Sequence, residues 1–260
     1  MCTAIVSIDP TAAWPALVAF VRDEQRDRPS DPAGPWWPDT NPGVLGGRDG
    51  VAGGTWLAVD PAVGRLALLT NWYDPDLPSP ESRPGVTRGR LPLQALAAGA
   101  SFDLADLDGI DALPPFHLLV AAGHGTAPQT RSWSWDGSDV HVTDISDPGT
   151  HVVASRSMRL PGEPERRARI GQAFAATRPS VSSDPDLAPL AAWGDWIDLL
   201  DGRDAVPDDH SSLVVCSIRQ VPGFGTVGAS LVGIAADGHV RYDINRSNDV
   251  DPAAWRRVMP

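Results

Sequence analysis

Cys2-Thr3-Ala4-Ile5-Val6-Ser7-Ile8, closed by Asp9-Pro10, and then Leu17-Val18-Ala19-Phe20-Val21 running into Arg22-Asp23-Glu24, is the stretch from which the architecture follows. The first run is short, apolar and bounded by a turn dipeptide, so it reads as a buried strand over Cys2 to Ile8. The second run reads as a strand over Leu17 to Val21. It ends in a polar segment with six charges, Arg22, Asp23, Glu24, Arg26, Asp27 and Arg28. Cys2 stands directly behind Met1, and its small side chain favours removal of that methionine. Cys2 would then carry a thiol and a free α-amine, with ordinary pKa values of about 8.5 and about 7.7 to 8.0. One residue would supply both the nucleophile and its general base. The other reading of Cys2 is a small apolar residue opening a buried strand.

Outward from this stretch, strands and helices segregate. Gly54 to Val59 and Arg65 to Asn71 read as a hairpin around Asp60 to Gly64, after a Pro- and Gly-rich loop that runs to about Gly50 and contains Trp36-Trp37. Phe116 to Ala122 reads as a buried strand. Arg131 to Asp136 and Asp139 to Asp144 form a second hairpin around Asp136-Gly137. His151 to Ser155, Ser212 to Arg219, Ser230 to Ala235 and Val240 to Ile244 read as further strands. Leu91 to Ala98 is a short helix, Asp103 to Leu113 carries a weak helical spacing, and Glu163 to Thr177 and Leu187 to Leu200 are the strongest helices. Strand runs at both ends with helices between them predict a layered α+β domain over residues 1–260.

Composition narrows the function classes. The chain has 260 residues, a net charge of -12 and no lysine. Such a chain is repelled by phosphate backbones and anionic lipid, which argues against nucleic acid as a partner. Lysine chemistry, including Schiff bases, is excluded. The absence of lysine beside abundant Ala, Gly, Pro and Asp suggests a GC-rich bacterial genome. Two cysteines, Cys2 and Cys216, make neither a disulfide framework nor a four-thiolate metal site. The six histidines have no zinc spacing. No apolar run is long enough to span a membrane, and no signal peptide is evident. The expected compartment is the cytoplasm, and no pattern in the sequence specifies an oligomeric state.

Several segments in order carry a resemblance: Met1-Cys2-Thr3, Arg22-Asp23-Glu24 with Arg28-Pro29, Trp36-Trp37, Gly46-Gly47-Arg48-Asp49, Gly53-Gly54-Thr55-Trp56-Leu57, Leu69-Thr70-Asn71, Ser82-Arg83 and Gly225-Thr226. Together they resemble the NRDE family, also called the transport-and-Golgi-organisation family. The match is dense over about the first 95 residues and thin afterwards. The resemblance implies an N-terminal-nucleophile fold, a four-layer αββα sandwich with two antiparallel sheets. It is similar at the level of fold to cysteine amidohydrolases of the choloylglycine type. The chain departs from the family pattern at Val21, Pro84, His117 and Val227.

On that resemblance the candidate catalytic residues are Cys2, Arg22, Asp23 and Asn71. Arg22 would favour the Cys2 thiolate, and Asp23 would orient its α-amine. On a continuing strand these two neighbours would point to opposite faces, so that only one reaches Cys2. The Asn71 amide, or a backbone amide, would donate to an oxyanion. Thr55, Trp56 and Arg83 are the candidate substrate-binding residues. The expected partner is a small acyl or amide substrate, handled by hydrolysis or acyl transfer without cofactor or metal. The alternative is a non-catalytic carrier of haem or an acyl lipid, with His117 and His124 as the haem-ligand candidates. Cys216 is expected to be inert inside its strand.

Overall fold

The computed structural model describes residues 2–77, 86–122, 129–182, 184 and 186–258. Two antiparallel sheets form its framework. The first has six strands in the order β10-β1-β2-β11-β12-β13: β1 (Thr3–Ile8), β2 (Ala16–Gln25), β10 (Gly149–Ala154), β11 (Phe224–Ile234), β12 (Val240–Asn245) and β13 (Arg256–Arg257). The second has seven in sequence order: β3 (Ser30–Gly34), β4 (Leu45–Asp49), β5 (Leu57–Asp60), β6 (Arg65–Asn71), β7 (Phe116–Ala122), β8 (Gln129–Trp135) and β9 (Val140–Asp144).

The alternation of side chains along β1 and β2 explains the layering. Ala4, Val6, Ala16, Val18 and Phe20 meet Leu57, Val59, Leu66 and Leu68 of the second sheet in one apolar cluster. The intervening residues, Ile5, Leu17, Ala19 and Val21, point the other way, onto Ile170, Phe174, Trp193, Trp196 and Ile197. Those partners belong to α2 (Glu163–Ala176), α3 (Pro189–Trp193) and α4 (Asp195–Leu199). The outer face of the second sheet packs on α1 (Leu91–Ala98) through Leu91, Leu93 and Leu96, with Leu104 behind them. A strand buried on both faces reads as a continuous apolar run, which is why β1 and β2 are so plain in the sequence.

Five expectations are corrected. Leu17 to Val21 is only the middle of β2, which continues through the charged residues to Gln25 because β11 pairs alongside it, Phe224 opposite Gln25. The Pro-rich loop before Gly50 contains β3 and β4. Pro32 is tolerated there because β3 is an edge strand, and the register slips between Asp31 and Gly34. The helix over Leu187 to Leu200 is two short helices broken at Gly194, whose φ is 50°; Leu190 is exposed while Trp193 and Trp196 are fully buried. Asp103 to Leu113 holds two 3-10 turns instead of a helix, and Ser212 to Arg219 is not a strand. The latter is an irregular segment held to β11 by Thr226, whose backbone N–H donates to the Val215 carbonyl at 2.8 Å.

His117 on β7 lies opposite Ser134 on β8, and its Nδ1 is 2.7 Å from the Ser134 hydroxyl. Its ring stacks on Trp72 at 4.6 Å between centroids. Burial, with the charge of Arg167 as a second cause, pushes its pKa down to about 3. Unfolded, the same side chain protonates near about 6.5. The unfolded state therefore binds more protons between these values, and the contribution of neutral His117, complete above the upper one, is lost as pH falls through this window. Urea midpoints measured at about pH 7 and about pH 4.5 should fall more for the wild type than for His117→Gln. An equal fall in both would remove His117 from the acid response.

Candidate functional site

The site lies where the ends of β1 and β2 meet the end of β6. Thr3 pairs with Val21, so Cys2 enters the sheet beside Arg22 and Asp23. The Cys2 thiol donates to the Asp23 backbone carbonyl at 3.5 Å. Ser155, just past β10, holds the other side: its N–H donates to the Cys2 carbonyl at 2.9 Å. The Ser155 carbonyl in turn accepts from the Tyr73 N–H at 2.6 Å. That bond draws the chain following Asn71 towards Cys2 and ties the second sheet to the first.

Arg22 and Asp23 point to opposite faces, as alternation requires, yet both border the space beside Cys2. Arg22 follows the Phe20 face between the sheets. Its guanidinium lies 3.8 Å from the centroid of the Trp56 ring and 3.9 Å from the Glu24 carboxylate. Asp23 follows the Val21 face. Its carboxylate accepts from the Thr226 hydroxyl at 2.6 Å, and that hydroxyl accepts from the Val215 N–H at 2.8 Å. Thr226 therefore links the strand carrying Asp23 to the irregular segment around Cys216. The two side chains take opposite faces, as expected of a continuing strand, and Asp23 contacts the Cys2 thiol through its backbone carbonyl.

Two spaces open at Cys2, and both are bordered by Cys2, Asp23 and Asn71. One is a polar cleft of about 300 Å³ bordered also by Arg22, Arg28, Asp49, Thr55, Trp56 and Arg88. The other, of about 420 Å³, is bordered by Tyr73, Ser155, Ile218, Val221, Phe224 and His210, among others. These volumes lie in the range of small-molecule sites. Asn71 ends β6 opposite Phe116 and is exposed at the junction.

The glycines of the second sheet make this closure possible. A Cβ on Gly54 would run into the backbone of Gly89, and one on Gly47 would run into the Trp56 ring. The Thr55 N–H donates to the Gly89 carbonyl at 2.8 Å, which brings Arg88 to the cleft wall. The Thr55 hydroxyl donates to the Leu57 carbonyl at 2.8 Å, within its own turn.

Electrostatics at Cys2 differ from the expectation of a preformed thiolate. Burial is the dominant influence and pushes the thiol up; the charge of the chain's N-terminus is the main opposing influence and Arg22 the weakest, while the Asp23 charge adds to the rise. Arg22 is itself lowered by burial, with the Cys2 thiolate and Glu24 acting the other way. Arg88 is pushed down to about 10 by burial, so it still carries its charge at neutral pH.

Of the residues read from the sequence, Cys2, Arg22, Asp23, Asn71, Thr55 and Trp56 therefore border one cleft. Arg83, Pro84, His124 and Met1 lie outside the described residues. His117 borders neither space. Val21 is a core residue packed towards the helices. Val227 is the extra residue of a bulge, where Thr226 faces Asp23 and Gly228 faces Arg22. Among the described residues no cluster of three or more His, Cys, Asp or Glu is arranged to hold a metal ion. No helix among them is long and apolar enough to cross a membrane. Arg88, Ser155, Tyr73 and His210 were not found by sequence reasoning. No motif spacing marks them: Ser155, Tyr73 and Arg88 are brought there by backbone contacts between segments distant in the chain, and His210 borders the same space from the irregular segment before β11.

The family model for Transport and Golgi organisation 2 matches residues 1–242. A Transport and Golgi organization protein 2 homolog from Bos taurus is 26% identical over 289 residues, covering 98% of this chain and 96% of its own length. The homolog from Homo sapiens is 27% identical over 286 residues, with the same coverage of 98% and 96%.

A buried thiol with a raised pKa should label slowly at neutral pH. In protein retaining Met1, iodoacetamide labelling of Cys2 should keep rising from about pH 7 to about pH 9.5. A plateau reached by about pH 8 would show instead that Arg22 dominates.

Proposed function

This chain belongs to the Transport and Golgi organisation 2 family, and from that premise we propose that it is an N-terminal cysteine amide hydrolase or acyltransferase. The observation that carries the reading is the placement of Cys2 at the junction of two clefts, with Arg22, Asp23 and Asn71 around it. Two antiparallel sheets with helices on their outer faces are also compatible with the N-terminal-nucleophile architecture.

In the chain that keeps Met1, burial raises the thiol pKa, so the reading calls on a base during attack and does not rely on a standing thiolate. Once Met1 is removed, the α-amine of Cys2 takes the thiol proton as sulfur attacks the substrate carbonyl. An S–C bond forms and the carbonyl electrons move onto oxygen. The Asn71 side-chain amide donates to that oxyanion, where such a donor contributes about 3 to 4 kcal/mol. The C–N bond then breaks, and the departing nitrogen takes the proton from the α-ammonium. Water, or an acceptor amine, attacks the thioester and restores the thiol. In this reading Asp23, which accepts from Thr226, orients the α-amine, and Arg22, which lies over Trp56, lowers the cost of negative charge on sulfur.

The test is covalent. Intact mass of the mature protein should lack Met1. Incubation with an activated acyl ester should add one acyl group, mapped to Cys2 and released by water or an amine. Cys2→Ala should keep the fold and lose turnover by more than about 10³-fold. Retention of Met1 on most molecules, or reversible binding without any acyl adduct across an amide and ester panel, would leave the cleft as that of a carrier for an acyl lipid or haem.

A further inference from the structure

We infer that His210 is the base that activates the acceptor at Cys2, the water or amine that takes the acyl group off sulfur. This role rests on the acyl-transfer reading of Cys2 and belongs to the half of the reaction that follows acylation.

His210 borders the space of about 420 Å³ together with Cys2, Asn71 and Ser155. Two charged side chains, Asp23 and Arg156, also border it, and both have partners. Asp23 accepts from the Thr226 hydroxyl at 2.6 Å, and Arg156 stands 3.4 Å from the Glu163 carboxylate. His210 differs: its Nδ1 is buried without a hydrogen-bond partner among the described residues. So is the hydroxyl oxygen of Ser155, whose N–H holds the Cys2 carbonyl. Buried polar atoms are rarely left unpaired, and two such residues on the wall of one space call for a polar guest. A water or amine beside Cys2 is such a guest, and an uncommitted imidazole can accept its proton.

The segment between α4 and β11 holds His210 in place without forming a strand. Asp208 has a φ of 61°, in the left-handed region. Its N–H donates to the Ser217 carbonyl at 2.9 Å, and its carboxylate accepts from the Arg219 N–H. Asp209 accepts from the Ser211 N–H at 2.8 Å and from the Ser212 hydroxyl. Arg169 donates to the Ser211 carbonyl, and Arg166 Nη2 donates to the Ser212 carbonyl at 3.1 Å. The same Arg166 nitrogen donates to the Thr3 hydroxyl at 3.1 Å. One guanidinium therefore ties the chain just after His210 to the residue next to Cys2. A sparsely populated backbone conformation persists only where its surroundings over-determine it, and such residues cluster at functional sites.

The thioester on Cys2 has no leaving amine left to protonate. Water in the space gives a proton to His210 as its oxygen bonds to the acyl carbon, and the carbonyl electrons move onto oxygen. When they return, the C–S bond breaks and sulfur takes the proton from the imidazolium. A carboxylic acid leaves, and the thiol and the neutral imidazole are restored. An acceptor amine follows the same course and leaves as an amide. The α-amine serves acylation from Cys2 itself, whereas His210 serves the acceptor from a separate segment.

Hydrolysis of p-nitrophenyl butyrate by the mature full chain separates the two halves. A burst of nitrophenolate reports acylation of Cys2, and the slower steady rate reports release. His210→Gln should leave the burst rate unchanged and slow release about 10²-fold, so that the Cys2 adduct accumulates by intact mass. Acyl-enzyme of His210→Ala, freed of excess ester, should be released faster by added imidazole, whereas wild-type acyl-enzyme should not respond. Should neither variant fold, carbethoxylation of His210 in wild-type acyl-enzyme, located by peptide mapping, should slow release in proportion to the fraction modified. Release at the wild-type rate without an intact His210, or an equal fall of burst and release, would overturn the role of His210 and leave the hydrolase standing. Absence of any adduct on wild-type Cys2 would overturn both.

Discussion

The antiparallel register that sets Thr3 opposite Val21 is the constraint on which the site depends. It fixes Cys2 against the Asp23 carbonyl and gives Arg22 and Asp23 to opposite faces of one strand. The side-chain period of two means that a slip by one residue would exchange those faces. Arg22 would then enter the helix-side core, and Asp23 would face Trp56. Both faces of β2 are buried, so such a slip would also displace Val18 and Phe20 from the space between the sheets. The site inherits its precision from core packing.

The second sheet completes what the first begins. Trp56 supplies a face for Arg22, and the absence of a side chain at Gly47 leaves room for that ring. Gly54 allows the Gly89 backbone to close on the hairpin, which delivers Arg88. Ser155 bonds Cys2 on one side and Tyr73 on the other, so β10 acts as the seam between the sheets. Behind it, Arg166 on α2 donates to the Thr3 hydroxyl at 3.1 Å and to the Ser212 carbonyl. Buried Glu163 accepts from Arg166 and Arg167 at 3.3 and 3.0 Å. This network anchors the segment that borders the apolar cleft. Removing one partner would leave charge buried without compensation, which costs more than the pair itself contributes.

The balance at Cys2 separates two ways of making sulfur nucleophilic. A cationic neighbour can stabilise a thiolate, or a base can remove the proton during attack. Arg22 is close enough to contribute to the first, but desolvation outweighs it. Burial keeps the thiol protonated at rest, so the proposed acyl-transfer reading calls for a base.

Sequence alone determined the elements whose signal is local. The apolar runs of β1, β2 and β7, the hairpins at Asp60 to Gly64 and Asp136-Gly137, and α1 and α2 are legible because periodicity and turn residues act over a few positions. So were Cys2, Arg22, Asp23, Thr55, Trp56 and Asn71 as a group, since their motifs survive in order. Four things were decided only by tertiary structure. β2 continues through charged residues because β11 supplies its hydrogen bonds. The helix at Leu187 to Leu200 breaks at Gly194 so that Trp193 and Trp196 can both reach the core. Ser212 to Arg219 remains irregular because Thr226 claims its backbone groups. Arg88 enters the cleft through a backbone contact between Gly54 and Gly89, 35 positions apart. Propensity and pattern carry information about neighbours in the chain. A cleft is defined by residues brought together across sheets, and its electrostatics by how far those residues are withdrawn from water.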